Sequence, residues 1–281
     1  MKTAEKKLTA IFGVALIIAM ALSSTAYAIK YGQPDEENNW SYVCWVVTYP
    51  GEGEYLYLGT GSLIAPTVVL TAGHVADIGD HAGAWAYVSF APNPSWPYPP
   101  FGSGRDWIAV DSWHTHPDYE IGQDPQLKEW ISDDVGILIL DKKVKRIGYA
   151  QLPDAGFVDT ILMKEDVDLV GYGVQWQIHG GGVPPGAAWD WYDFPPYRYY
   201  AQAELIASEH VISDGFMRVT ANPGGDTGGT CFGDSGGPIL LAGTNTVLGV
   251  CSWGTNDNCA GVSYEQRIDI PKILDWIQGF L

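Results

Sequence analysis

The stretch Cys231-Phe232-Gly233-Asp234-Ser235-Gly236-Gly237-Pro238 sets one serine in a turn that only a glycine-rich backbone can make. Glycine admits positive φ and lets other chain segments approach closely. A serine hydroxyl is a weak nucleophile until a neighbouring base takes its proton and fixed donors receive the charge that develops on the attacked carbonyl. Gly233 has no side chain to screen its N–H, so that group and the N–H of Ser235 can converge on one oxyanion. Gly236 and Gly237 keep the floor open. A fold that uses this turn must bring a base to Ser235 from elsewhere in the chain.

The order of residues along the chain narrows the choice. Gly233-Asp234-Ser235-Gly236-Gly237 also satisfies the G-x-S-x-G elbow of α/β-hydrolases, but that fold needs its histidine after the serine. All six histidines, His74, His81, His114, His116, His179 and His210, precede Ser235. The strongest histidine context is early, in Leu70-Thr71-Ala72-Gly73-His74-Val75, which disfavours an order with the acid first. The order His, Asp, Ser remains.

Three motifs in that order resemble the trypsin/chymotrypsin-like serine endopeptidases: Thr71-Ala72-Gly73-His74, Asp134-Val135-Gly136-Ile137-Leu138 and Gly233-Asp234-Ser235-Gly236-Gly237-Pro238. Weaker echoes stand at Gly61-Ser62-Leu63-Ile64, His116-Pro117, Gly171-Tyr172-Gly173 and Ser252-Trp253-Gly254. The resemblance implies an all-β fold of two antiparallel six-stranded barrels with a C-terminal helix. The barrels would cover residues of about 29–150 and 151–267, and the helix about 268–281. It implies a catalytic triad of His74, Asp134 and Ser235, with the N–H groups of Gly233 and Ser235 as the oxyanion hole. Asp133 precedes Asp134, but the apolar run that follows matches the family at Asp134. The alternatives are a catalytically silent homologue that binds rather than cleaves, expected to lack a triad member, and a hydrolase restricted to esters.

Residues 1–28 carry an n-region with Lys2, Lys6 and Lys7, an apolar run over 11–22 and the small-x-small site Ala26-Tyr27-Ala28. This is the pattern of a secretory signal peptide, and the run is short for a membrane anchor. Its removal leaves 253 of 281 residues and moves the formal charge from −18 to −20. So acidic a surface argues against a nucleic-acid partner. The expected product is secreted, free of the membrane and monomeric, with a protein or peptide as substrate. No cofactor motif is present, and His114-Thr115-His116 lacks the further ligands a zinc site needs. Cleavage after Ala28 would expose Ile29, and the resemblance implies that its ammonium pairs with Asp234. A short propeptide ending within 33–39 is the alternative.

Cys44, Cys231, Cys251 and Cys259 allow two bridges in three connectivities. The resemblance implies Cys231–Cys259, leaving Cys44 and Cys251 either paired or as buried thiols. The family's usual bridge beside the catalytic histidine is absent, because Gly59 and Val75 stand there. The implied specificity pocket comprises Gly229, Thr230, Ser252, Trp253, Gly254 and Gly261. Trypsin-like enzymes keep an aspartate six residues before the nucleophile, where this chain has Gly229. An apolar or aromatic residue is therefore expected on the acyl side of the scissile bond (P1) rather than Lys or Arg, although Asp257 could reach in from the rim.

Short β-branched and aromatic runs at 46–48, 55–58, 68–70, 85–90, 135–140, 167–170 and 247–253, together with 34 glycines and 18 prolines, support antiparallel barrels over βαβ units. Residues 269–277 have apolar positions at helical spacing after an early proline, with Trp276 expected to anchor in the core. Two aromatic, proline-rich segments, 92–104 and 175–200, are expected as surface loops.

Overall fold

The computed structural model describes residues 29–51, 56–79, 82–95, 97, 99–102, 104–122, 130–174, 197–206, 215–222, 227–254 and 259–281. The signal segment, Asp257 and most of the 175–200 loop lie outside them.

A short strand β1 (Gln33–Pro34) leads into the first barrel, built from β2 (Val43–Tyr49), β3 (Tyr57–Ala65), β4 (Val68–Thr71), β5 (Trp85–Ser89), β6 (Trp107–Thr115) and β9 (Gly136–Leu140). These close in the order β2-β3-β4-β9-β6-β5, and a ribbon of β7 (Glu120–Gly122) and β8 (Trp130–Ser132) stands beside them. Closure leaves no unpaired edge. A helical turn α1 (Gly73–Ala76) follows β4 directly.

The second barrel uses β10 (Asp166–Gly171), β11 (Tyr199–Ile206), β12 (Phe216–Ala221), β13 (Pro238–Leu241), β14 (Val247–Gly254) and β15 (Gly261–Arg267). It closes where Leu205 and Ile206 of β11 meet Val219 and Arg218 of β12. β1 adds as a seventh strand on β11, pairing Gln33 with Tyr200 and Pro34 with Tyr199. Tyr199 and Tyr200 are thus strand residues, where the sequence reading extended a loop through them. The pairing with β1 on one side and β10 on the other supplies the backbone bonds that decide it.

The C-terminal helix α2 is Pro271–Gln278, shorter than the 268–281 expected. Ile270 has φ −68° and ψ 127°, because a residue before proline is pushed out of the helical region. Ile273, Leu274 and Ile277 anchor the helix, while Trp276 sits half-buried on its flank against His116, ring centroids 5.2 Å apart.

One buried cluster joins the first barrel to its neighbours. Trp45, Leu63, Leu70, Ile137 and Leu138 share it with Tyr172, Val250 and Ile273. A second fills the other barrel with Val167, Leu169, Val219, Ile239 and Leu248, and includes Ile29. Side chains of this kind contribute about 1.5–3 kcal/mol each on full burial. Between the barrels, the fully buried Arg198 guanidinium pairs with Asp35 at 2.8 Å and donates to the carbonyls of Val43 and Phe90.

Candidate active site

β4 ends at Thr71, whose hydroxyl donates to the Thr60 carbonyl at 2.7 Å, and α1 begins two residues later. His74 lies in that turn. Its backbone N–H donates to Asp134 Oδ1 at 2.9 Å, and its Nδ1 lies 2.9 Å from Oδ2 and 3.1 Å from Oδ1. No disulfide braces this turn. Instead a Cβ placed on Gly59 would lie 2.9 Å from both Val75 methyls, so Val75 packs directly onto the β3 backbone where the family bridge would be.

Asp134 is fully buried two residues before β9 begins. Beyond His74 it accepts a 2.6 Å hydrogen bond from Ser252 Oγ on β14, and its own N–H donates to Gln266 Oε1 on β15. Burial alone would raise its carboxyl, but the His74 ring and these hydrogen bonds hold it below the usual range. For His74, burial pulls the imidazole down, and the adjacent Asp134 carboxylate outweighs that and raises it above its ordinary value. Asp133, with φ +47°, turns the other way and binds Lys272 Nζ at 2.7 Å.

The turn at 231–237 is fixed from both barrels. Thr60 on β3 donates its N–H to the Ser235 carbonyl at 2.8 Å and its hydroxyl to the Gly233 carbonyl at 2.9 Å. Gly236 has φ +80°, and a Cβ there would come 2.0 Å from Thr71 Oγ1, so no other residue fits. The N–H groups of Asp234, Gly236 and Gly237 donate to Cys231, Cys251 and Asp234 carbonyls. Those of Gly233 and Ser235 donate to nothing among the described residues. The Ser235 hydroxyl likewise forms no hydrogen bond among the described residues, but it faces the same cavity as His74.

Asp234 points inward and is fully buried. It accepts from Cys231 N–H at 2.9 Å and Gly173 N–H at 2.8 Å, and a Cβ at Gly173 would lie 2.5 Å from the carboxylate. Burial pushes its carboxyl up to about 7, since no cation among the described residues pairs with it. Ile29 is fully buried in the second barrel, and in the full-length chain its nitrogen belongs to a peptide bond rather than to an ammonium group.

A cavity of about 310 Å³ opens beside Ser235 and is lined by His74, Thr230, Ser252, Trp253 and Gly254 among others. Trp253 is held by stacking on Tyr264, ring centroids 4.3 Å apart. Gly229 and Gly261, expected in this pocket, do not line it. Gly229 packs against Ala221, where a Cβ would come 2.7 Å from Cα, and Gly261 opens β15 opposite Ala221. Ser252 does line it, but spends its hydroxyl on Asp134. The Cys231–Cys259 disulfide is formed, Cα atoms 5.3 Å apart, while Cys44 and Cys251 are buried free thiols.

His114 lies against Phe280, and His116 accepts from the Asp118 N–H. His116, Asp118 and Asp133 bring ligand atoms within 4.8 Å of one another, but the Lys272 ammonium already supplies the positive charge there. Sequence reasoning missed four buried residues of the site: Thr60, Gln266, the fully buried Glu265, and Ser252 as a partner of Asp134. The Ser-Trp-Gly motif was the available signal for the last; a lone buried polar residue on a strand gives none.

The model of the trypsin family matches residues 29–277. Among solved structures, HL collagenase is similar at TM-score 0.64 and 17% identity, over 89% of this chain and 97% of that one. Human heparin binding protein follows at TM-score 0.60 and 16% identity, over 88% and 94%. GrC is similar at 0.60 and 18%, over 89% and 97%. These likenesses establish the fold of two closed barrels, and the family match extends over every described strand. The chain belongs to the trypsin family.

Proposed function

We propose that this protein is a secreted serine endopeptidase that works through an acyl-enzyme. The observation that carries the reading is the buried Asp134, oriented by Ser252 and Gln266 and clasping His74 through both N–H and Nδ1, on the wall of the cavity that Ser235 faces. With Nδ1–H directed at Asp134, His74 Nε2 is the basic nitrogen and takes the Ser235 proton as Oγ attacks the scissile carbonyl. Asp134 holds that tautomer and stabilises the imidazolium. The two uncommitted N–H groups of Gly233 and Ser235 receive the oxyanion. His74 then protonates the leaving amine, and water, activated by the same nitrogen, releases the acyl group. In ligand-free sites such contacts are commonly long and tighten with substrate, which accommodates a Ser235 hydroxyl without a partner among the described residues.

Activation follows from the same chemistry. Export would remove residues 1–28, and the Ile29 ammonium so created would neutralise the buried, unpaired Asp234. The Cys231–Cys259 bridge fits an oxidising destination. N-terminal sequencing of the secreted protein should read Ile-Lys-Tyr-Gly; a start within 33–39 would replace this step by a propeptide. With no side chain at Gly229, that position offers a basic P1 residue no carboxylate, and an apolar P1 residue is the preference it supports by itself.

The test is casein cleavage by the processed protein with and without a fluorophosphonate. Cleavage abolished by the reagent with Ser235 labelled is the expected result. Unlabelled Ser235 and intact casein would instead favour a binding role, a reading kept in view by the name of human heparin binding protein and by a Ser235 hydroxyl that forms no hydrogen bond among the described residues. Hydrolysis of small esters with casein intact would mark an esterase.

A further inference from the structure

The Ser235 cavity has a carboxylate behind its wall. Glu265, on β15, is fully buried, and no cation pairs with it among the described residues. It accepts hydrogen bonds from Thr230 Oγ1 and from the Ser252 N–H, each at 3.2 Å. Thr230 and Ser252 both line the cavity. An ionised carboxylate buried with no cation beside it is costly, and in a protein interior it is compensated by a cation or by protonation.

The hydrogens around it decide what the cavity can receive. A hydroxyl has one proton. That of Thr230 goes to Glu265, and that of Ser252 goes to Asp134. Toward the cavity both hydroxyls therefore present lone pairs only, with Glu265 behind one and Asp134 behind the other. These two acceptors, each backed by a carboxylate, offer nothing to an incoming carboxylate or carbonyl. They suit a side chain that ends in several N–H donors and a positive charge.

We propose that Glu265 is the specificity-determining residue of this cavity and that the P1 side chain it selects is lysine or arginine. The charge comes from the side of the pocket through Thr230, in place of a carboxylate at Gly229, where contact with Ala221 leaves no room for a side chain. The proposal rests on the peptidase reading above and deepens it.

The full chain is expressed and its processed product purified as wild type and as Glu265→Gln, which keeps the side chain's length and removes the charge. Two quantities are read: kcat/KM for peptides differing only in P1 lysine or norleucine, and the affinity of p-aminobenzamidine, an aromatic amidinium whose fluorescence reports pocket binding. Wild type should favour lysine, and E265Q should lose at least about 30-fold of that preference and of amidinium affinity, as for a buried charge pair stripped of one partner. Ser235 labelled by fluorophosphonate with no preference for lysine would overturn the inference and leave the peptidase reading standing. Unlabelled Ser235 would overturn the peptidase reading; amidinium binding weakened in E265Q would then still support the pocket, and binding absent or unchanged would overturn it. If E265Q does not fold, the wild-type ratio of lysine to norleucine, or amidinium binding where no peptide is cleaved, decides alone.

Discussion

Thr60 Oγ1 donates to the Gly233 carbonyl at 2.9 Å, across 173 positions of sequence and from one barrel to the other. The same oxygen accepts from the Tyr172 N–H at 3.2 Å. One fully buried hydroxyl on β3 thus sets the peptide plane of the turn that carries Ser235.

Thr60→Val keeps the shape and removes both bonds. A buried acceptor left unpaired costs about 1–3 kcal/mol, so urea denaturation should show a loss of that size. In the proposed reaction the larger effect is expected on kcat, with KM little changed, because the Gly233 N–H would there serve only the developing oxyanion.

Ser252→Ala removes the hydroxyl on Asp134 while sparing His74 and Ser235. The loss of one charge-assisted bond should raise the Asp134 carboxyl and loosen the imidazole, reducing kcat by roughly 10-fold, about one such bond. Titration of the His74 ring by NMR reads the coupling directly: its pKa should move in S252A and stay put in a variant altered only at the exposed Leu162.

Asp234 and Glu265 are both pushed up to about 7 by burial in the uncut chain. The folded state therefore holds two protons that the unfolded chain releases near its ordinary carboxyl values. Stability is full below about pH 4 as far as these groups are concerned and declines as pH rises toward 7, by on the order of 3 kcal/mol for each. Thermal melts of the uncut chain across this range should show the decline. A chain beginning at Ile29 should show less of it, since the new ammonium keeps Asp234 ionised.

Arg198→Met should cost about 3–5 kcal/mol, because it strands the buried Asp35 carboxylate without its cation. The double substitution with Asp35→Leu should recover most of that loss in the same denaturation assay, which separates removal of a lone charge from loss of packing.

The legible parts of this chain were those where local chemistry is stereotyped. The glycine turn around Ser235, the His74 turn and the apolar β4, β9, β10 and β14 could be read because their residues announce both shape and burial. β15 could not. Its buried members include Ser263, Glu265, Gln266 and Arg267, so its inward face looks like a solvent face. Two of those four hold the site together, Gln266 on the Asp134 backbone and Glu265 on Thr230. β11 was hidden for another reason: its buried positions are Tyr199, Ala201, Ala203 and Leu205, and small alanines alternating with Gln202 and Glu204 carry little strand propensity. The role of the Thr60 hydroxyl is invisible in sequence because its partners are backbone groups more than a hundred positions away.

The run from Ile29 to Tyr42 belongs to neither barrel alone. Ile29 is sunk in the second, β1 extends that sheet along β11, Arg198 holds Asp35, and the Tyr42 carbonyl receives the Leu63 N–H of the first. It works as a strap buckled at both ends across the two barrels. Splitting the chain between its barrels would leave each half with a torn flank and an open strap, so neither half is expected to fold alone and the intact molecule should melt as one body.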